Sequence, residues 1–418
     1  GTWAQWSRDG LRTQGFWSPE ASVEPLLDRH YRDECQMLRH HLRDAVRRHL
    51  IADVPVGAFL SGGLDSSIVA ALAAETLAES GRRLQTFSIG FPEKAYDERE
   101  FSGVVAKHLK TEHHFLEVNP ADPEFLQLLL AEYGEPFADA SMIPTALLSR
   151  FAQAKVKAVV GGDGADELFG GYYRYQALAS SARLDLLPAW LRSAGSGLAL
   201  ALLPRSDSER SGIGKLRRLA AMAAEPPSRR PLNLASRFPE PRRMAAYADA
   251  FRRSIGEFSS AEYGWGGSLD PVQRMYHDQR TYLPDDTLTK VDRASMMFGL
   301  EVRAPFLDLE LASFANSLPL ASKILGRQRK RILADAFADL LPAGIATRPK
   351  MGFAVPLSAW FRGEWKEWSR REIAANLSDI FKPEALEALF AEHGNGQADH
   401  GAALYSLLVL ALFRKHQA

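Results

Sequence analysis

The chain has 418 residues, of which 46% are hydrophobic and 24% charged. That is the profile of a globular protein with a sizeable core, long enough for two or three domains. Lys plus Arg and Asp plus Glu both number 51, so the formal net charge is zero and nothing in it suggests bulk attraction to nucleic acid or to an anionic membrane. The single cysteine, Cys35, excludes an intrachain disulfide framework and a cysteine-based zinc site, and it fits a reducing cytosol.

Residues 1–25 alternate aromatic and polar side chains, and Arg8-Asp9-Gly10 is a hairpin turn signal. No charged segment followed by an apolar core marks a signal peptide there. Apolar residues Leu38, Leu42, Val46 and Leu50 share one face and predict a helix over 31–51. The run 56–60 is short, apolar and closed by glycines, which suits a buried parallel strand. A helix follows from Ser66.

Strands are expected at 84–91, 113–118 and 156–160, and helices at 97–109, 123–133 and 142–154. This alternation predicts an α/β fold, a parallel twisted sheet flanked by helices. Residues 204–245 are rich in Pro, Ser and Arg with weak periodicity and read as a mobile connection or insertion. From residue 271 the reading is mostly helical. The apolar run 401–413 is shorter than the roughly 20 residues that span a bilayer.

The junction Ser61-Gly62-Gly63-Leu64-Asp65-Ser66-Ser67 lies between a strand ending at Leu60 and a helix. Gly62 and Gly63 have no side chains, so backbone N–H groups can approach phosphate oxygens. The helix start adds the positive end of its dipole, and the three serines add hydroxyls. Asp65 would repel a phosphate unless a cation stands between them, which implies magnesium. No Lys follows, so this is not the common Gly-x-x-x-x-Gly-Lys-Ser/Thr loop.

The junction resembles the pyrophosphate-binding loop of the ATP pyrophosphatase superfamily. Thr86-Phe87-Ser88-Ile89-Gly90-Phe91, Tyr96-Asp97-Glu98, the glycine-rich run from Gly161 to Tyr172, Leu300 to Asp308, and Arg348-Pro349-Lys350-Met351-Gly352-Phe353 follow in order. Together they resemble the synthetase half of glutamine-dependent asparagine synthetases. The resemblance implies an adenine nucleotide alpha hydrolase-like fold, ATP and Mg2+, and adenylation of a carboxylate before ammonia displaces AMP.

On the same basis Leu60, Ser61, Gly62, Gly63, Asp65, Ser66, Ser67, Ile89, Gly161 and Gly162 are expected to bind ATP. Asp65, Asp139 and Asp166 are expected to ligate the metal, and Asp163, Lys330 and Glu135 to act in catalysis. Asp163 stands where family members usually carry a glutamate, and Gly161 and Ala165 replace serines. Asp163, Asp166 and Glu167 could alternatively cap the following helix, since acidic residues suit a first turn.

The implied organisation is a junction at 1–25 trailing from a missing N-terminal glutaminase domain, a nucleotide-binding core at 26–203, an insertion at 204–270 and a helical part at 271–418. Implied partners are ATP, aspartate or another carboxylate, ammonia and a glutaminase domain or subunit; a homodimer is allowed, and the compartment is cytoplasmic. Related amide ligases of the β-lactam synthetase, lasso-peptide cyclase or sugar-acid amidation type are the alternatives. A tRNA-thiolating enzyme is disfavoured by one cysteine and zero net charge, and a dead scaffold by the intact Asp65, Asp139 and Lys330.

Overall fold

The computed structural model describes residues 1–20, 29–93, 96–118, 122–203, 212–255, 269–346, 348 and 355–417. The chain divides into two compact units. The first is Gly1–Glu117, Thr145–Tyr172 and Val272–Gly352; the second is Val118–Pro144, Tyr173–Pro271 and Phe353–Ala418.

The first unit opens with the antiparallel hairpin β1 (Thr2–Ser7) and β2 (Gly10–Gly15), both strands exposed along their length. Helix α1 (Tyr31–His49) follows, with Leu38, Leu42, Ala45 and Val46 fully buried on one face. Leu38, Leu42 and Val46 each contribute about 1.5–3 kcal/mol by leaving water. Strand β3 (Val56–Phe59), α2 (Leu64–Ala78), β4 (Gln85–Gly90), α3 (Arg99–Leu109) and β5 (Glu112–Glu117) come next in chain order.

Further elements are α4 (Pro123–Tyr133), α5 (Met142–Gln153), β6 (Ala158–Val160), α6 (Ala165–Phe169) and β7 (Glu301–Arg303). Five strands form one all-parallel sheet in the order β5-β4-β3-β6-β7. The central strands β3, β4 and β6 are largely buried, β3 and β6 being apolar throughout and β4 burying Thr86 and Ser88 beside Phe87 and Ile89, as a sheet covered on both faces requires. The α/β fold with a mostly helical C-terminal part is therefore what the sequence predicts.

The sheet departs from the expectation at one place. β7 was anticipated only as part of a signature motif, because three residues carry no readable period. It becomes a strand by pairing with β6, Val159 opposite Val302 and Val160 opposite Arg303.

The order of the sheet locates a switch point. From β3 the chain steps outward to β4 and β5, then returns to place β6 on the other side of β3. Parallel β3 and β6 therefore end side by side at the C-terminal edge, the place where open α/β sheets bind ligands. A last hairpin, β8 (Ile324–Leu325) and β9 (Gln328–Arg329), precedes a short helix at Arg331–Ala336.

The second unit is helical among its described residues. Its core is aromatic: the Trp365 ring lies 4.8 Å from Trp360, 5.7 Å from Phe361 and 6.5 Å from Tyr405, centroid to centroid. The stretch expected to be an irregular connection holds helices Gly212–Ala224, Arg230–Ala235, Glu240–Ala246 and Asp249–Ser254. Three of these have six or seven residues, too few turns to show a period, and two have Pro near the N-terminus. Buried Arg230 donates to both carboxylate oxygens of Asp185, at 2.9 and 2.6 Å. Residues 204–211 and 256–268 of that expected insertion lie outside the described residues.

Candidate functional site

The loop after β3 is built around its serines. Ser61 and Ser66 hydroxyls lie 2.9 Å apart, Gly63 N–H donates to Ser61 Oγ at 3.2 Å, and Ser61 N–H donates to Ser66 Oγ at 3.2 Å. These bonds fix the loop ahead of any ligand. Ser67 is fully buried beneath it, and its hydroxyl has no hydrogen-bond partner among the described residues. Leu60 is buried and donates its N–H to Phe87 O on β4.

Glycine is required at Gly62, where φ is +71° and a Cβ would sit 2.6 Å from the backbone of Phe101 and Ser102. The loop after β6 approaches as closely. A Cβ at Gly162 would lie 3.0 Å from Asp65 Cβ and from Ser66 N. Gly161 donates its N–H to Arg303 O on β7, at 2.8 Å. Ile89 is buried near the end of β4.

Where the loops meet, the Lys330 ammonium lies 2.5 Å from Asp65 Oδ2 and 2.7 Å from Asp166 Oδ1. Asp65 sits in the first turn of α2, and Asp166 in the first turn of α6. Burial works against charge on Lys330, yet the two carboxylates outweigh it and hold its pKa above the ordinary value. Asp163 stands in the same centre. Burial pushes its carboxyl upward, Lys290 pulls it back, and the negative charges of Asp166 and Asp65 push it further up.

Glu167, part of the glycine-rich motif and also weighed as a helix cap, is 1% exposed and accepts a 2.6 Å hydrogen bond from Tyr172 Oη. Arg348 opens the motif expected either to order a lid or to brace the fold. It donates to Gly62 O at 3.3 Å and to Glu98 at 3.2 Å, and it lies 3.7 Å over the Phe101 ring. Burial lifts Glu98 to about 7, against the pull of Arg348. The signal for this pair was already in the sequence, in Tyr96-Asp97-Glu98 and Arg348-Pro349. Residues Pro349 to Phe353 of that motif lie outside the described residues.

Arg303 is a structural anchor: its guanidinium donates to His49 O and Ile51 O, at 2.7 and 2.8 Å, and closes the end of α1. His113 bridges Thr86 and Ser88 on the neighbouring strand.

Glu135 and Asp139 belong to the second unit. Glu135 is exposed. Asp139 accepts from Ser141 N–H and Oγ, at 2.9 and 2.8 Å, in the turn before α5. The roles expected of these two rest on the resemblance alone.

Among the described residues, no group of three or more His, Cys, Asp or Glu is arranged to hold a metal. Two carboxylates converging on one cation nevertheless form a hard-oxygen donor set. That fits magnesium, which is commonly held by one or two carboxylates together with substrate phosphates. No helix among the described residues is long and apolar enough to cross a membrane.

Comparison with known proteins gives a consistent result. The asparagine synthase family pattern matches residues 37–415. A Mycobacterium tuberculosis protein provisionally named a glutamine-hydrolysing asparagine synthetase is 34% identical over 409 residues, 95% of this chain and 60% of that protein. Bacillus subtilis asparagine synthetase (glutamine-hydrolysing) 1 is 29% identical over 382 residues, 90% of this chain and 58% of that protein. The chain thus spans about three-fifths of the length of these relatives. With the family pattern covering most of its length and both glycine loops meeting at one lysine, this chain belongs to the asparagine synthase family.

Proposed function

We propose that this chain is the amide-forming part of an asparagine-synthetase-type ligase, which adenylates the side-chain carboxylate of aspartate and then forms the amide with ammonia. The observation that carries the reading is the Asp65–Lys330–Asp166 arrangement at the switch point of the sheet. A crevice at that edge is where open α/β sheets bind ligands.

A free carboxylate resists attack by ammonia because oxide is a poor leaving group. In the proposed first step, a carboxylate oxygen of the substrate attacks the α-phosphorus of ATP, the bond to the β-phosphate oxygen breaks, and pyrophosphate leaves. In the second, the ammonia nitrogen attacks the acyl carbon, AMP leaves with the oxygen that linked it, and a proton is lost.

Backbone N–H groups of the Gly62-Gly63 turn would cradle the phosphates, at a helix N-terminus. Lys330 supplies a mobile point charge with three donors, able to follow negative charge from phosphate to acyl carbon. Asp65 and Asp166 would hold a magnesium ion beside the phosphates, and that ion would screen two anions from each other. Asp163, raised by burial, is suited to hold a proton near the acyl group.

Asp163 also favours a second reading, a related ligase acting on another carboxylate, because its carboxyl reaches about one C–C bond less than a glutamate. Pyrophosphate release, measured across a panel of carboxylates with ammonium, tests both. Release with aspartate supports the first reading, release with another acid alone supports the second, and no release with any acid overturns both. By the names of its relatives, glutamine is the nitrogen source of the longer protein; the test is ammonia set free from glutamine when the longer protein is assayed.

A further inference from the structure

Lys330 reaches the site from an unusual support. It follows β9, and β8 and β9 have only two residues each. A hairpin this small has no independent stability. Lys330 itself has φ +51°, a left-handed conformation that a non-glycine residue adopts only when its surroundings impose it. Something must fix the hairpin for the ammonium to stand between Asp65 and Asp166.

Two contacts do so, both at the turn after α6. Ile324 packs onto Gly170, where its Cδ1 and Cγ1 lie 2.7 Å from the place a Cβ would occupy. Arg329, the residue before Lys330, donates from Nη1 to Gly171 O at 2.9 Å. Gly171 in turn donates its N–H to Asp166 O at 2.9 Å. The turn therefore ties the lysine's hairpin and the lysine's partner to the same two residues. A Cβ at Gly171 would lie 1.9 Å from Asp166 Oδ1 and 2.1 Å from Lys330 Cε, so the backbone there passes against the ion pair itself.

We infer that Arg329 is a positioning residue for Lys330: its hydrogen bond to Gly171 O locks the β8–β9 hairpin onto the second glycine loop and sets the ammonium between the two carboxylates. Arg329 touches no reacting atom in this assignment. On the other side of Lys330, helix Arg331–Ala336 is anchored by buried Ile332, Leu333 and Ala334, so it holds the chain in place but not the orientation of the lysine. The bond from Arg329 supplies that orientation.

The test uses the full chain as wild type, Arg329→Ala and Arg329→Lys, with melting curves to establish that each is folded. In one arm, the proteins are acetylated with an N-hydroxysuccinimide ester and the rate at Lys330 is read by peptide mass mapping, with exposed Lys155 as internal reference. Wild-type Lys330 should be slow, being buried and ion-paired. In Arg329→Ala it should label about tenfold faster relative to Lys155, the scale expected on losing one anchoring hydrogen bond. Arg329→Lys, which keeps one donor, should fall between the two.

In the other arm, which rests on the adenylation reading, kcat for pyrophosphate release should fall about 100-fold in Arg329→Ala with KM for ATP nearly unchanged, as for a misplaced catalytic group. An unchanged Lys330 labelling rate in folded Arg329→Ala overturns the proposal. If that variant does not fold, an unchanged rate in Arg329→Lys overturns it equally. If labelling rises while kcat holds, the link from orientation to rate is wrong. If wild type releases no pyrophosphate with any acid, the adenylation reading fails while the labelling arm still decides the role of Arg329.

Discussion

The two units bury different chemistry. In the first, charge goes inside: Lys330, Glu98, Glu34 and Glu167 are all less than 9% exposed. In the second, the largest buried side chains include Trp360, Trp365 and Tyr405, and its buried Arg230 makes a two-pronged pair with Asp185. Buried charge costs free energy unless each group is paired, and even then packed apolar residues often serve stability as well. The first unit meets this requirement by placing the Lys330 ammonium between Asp65 and Asp166. The second unit instead clusters tilted and edge-on indoles with Tyr405 into an apolar core.

The largest expected effect probes the packing side. Trp365→Ala should destabilise the second unit by about 3–5 kcal/mol, through lost burial and the cavity left behind. Denaturant melts followed by near-ultraviolet circular dichroism would check this; a loss below about 1 kcal/mol would contradict the assignment of Trp365 to the core.

The charged side comes next. Lys330→Ala should lower the rate of pyrophosphate release by roughly 100- to 1,000-fold, the scale for removing one donor to developing charge. Steady-state kinetics with varied ATP would check it, and an affinity loss with the rate intact would make Lys330 a binding residue. A smaller effect is expected of Asp163→Glu, which restores the usual family residue. Faster turnover with aspartate would mark Asp163 as a shortened catalytic acid, and slower turnover would mark a pocket shaped around it.

Two pH effects sharpen the contrast. Glu98 is raised by burial from 4.5 to about 7, so the folded state holds a proton that the unfolded state releases. Its contribution is fully present below 4.5 and is lost as pH rises through 7. Glu98→Gln should flatten the fall in melting temperature between those values.

His393 in the second unit runs the other way. Its Nδ1 accepts from His400 N–H at 3.1 Å, so that nitrogen carries no proton, and Nε2–H donates to Ser358 O at 3.1 Å. Burial lowers its pKa below 6.5. The stability it contributes is present above 6.5 and is lost as pH falls. His393→Gln should remove a small acid-side drop in melting temperature, readable by scanning calorimetry.

Much of the fold was legible in the sequence because each element carries its own signal. Leu38, Leu42 and Val46 recur at helical spacing, and β3 and β6 are short apolar runs next to glycines. The hairpin turn at Arg8-Asp9-Gly10 announced β1 and β2. What failed to show was short or dependent on a neighbour: β7 has three residues, and the six- and seven-residue helices of the second unit hold under two turns, too few to repeat a pattern. Arg348 was visible as part of a motif. Its contact with Gly62 was not, since 286 positions separate them.

The sequence by itself determined the family, the α/β class and the two glycine loops, because those depend on local residue order. Only the tertiary structure decided that Asp65, Asp166 and Lys330 share one ion pair, for Asp65 and Lys330 are 265 positions apart. It also placed left-handed Lys330 directly after a six-residue hairpin whose Ile324 and Arg329 contact Gly170 and Gly171. Pairing between distant charges is set by where the sheet returns the chain, and no local pattern records that.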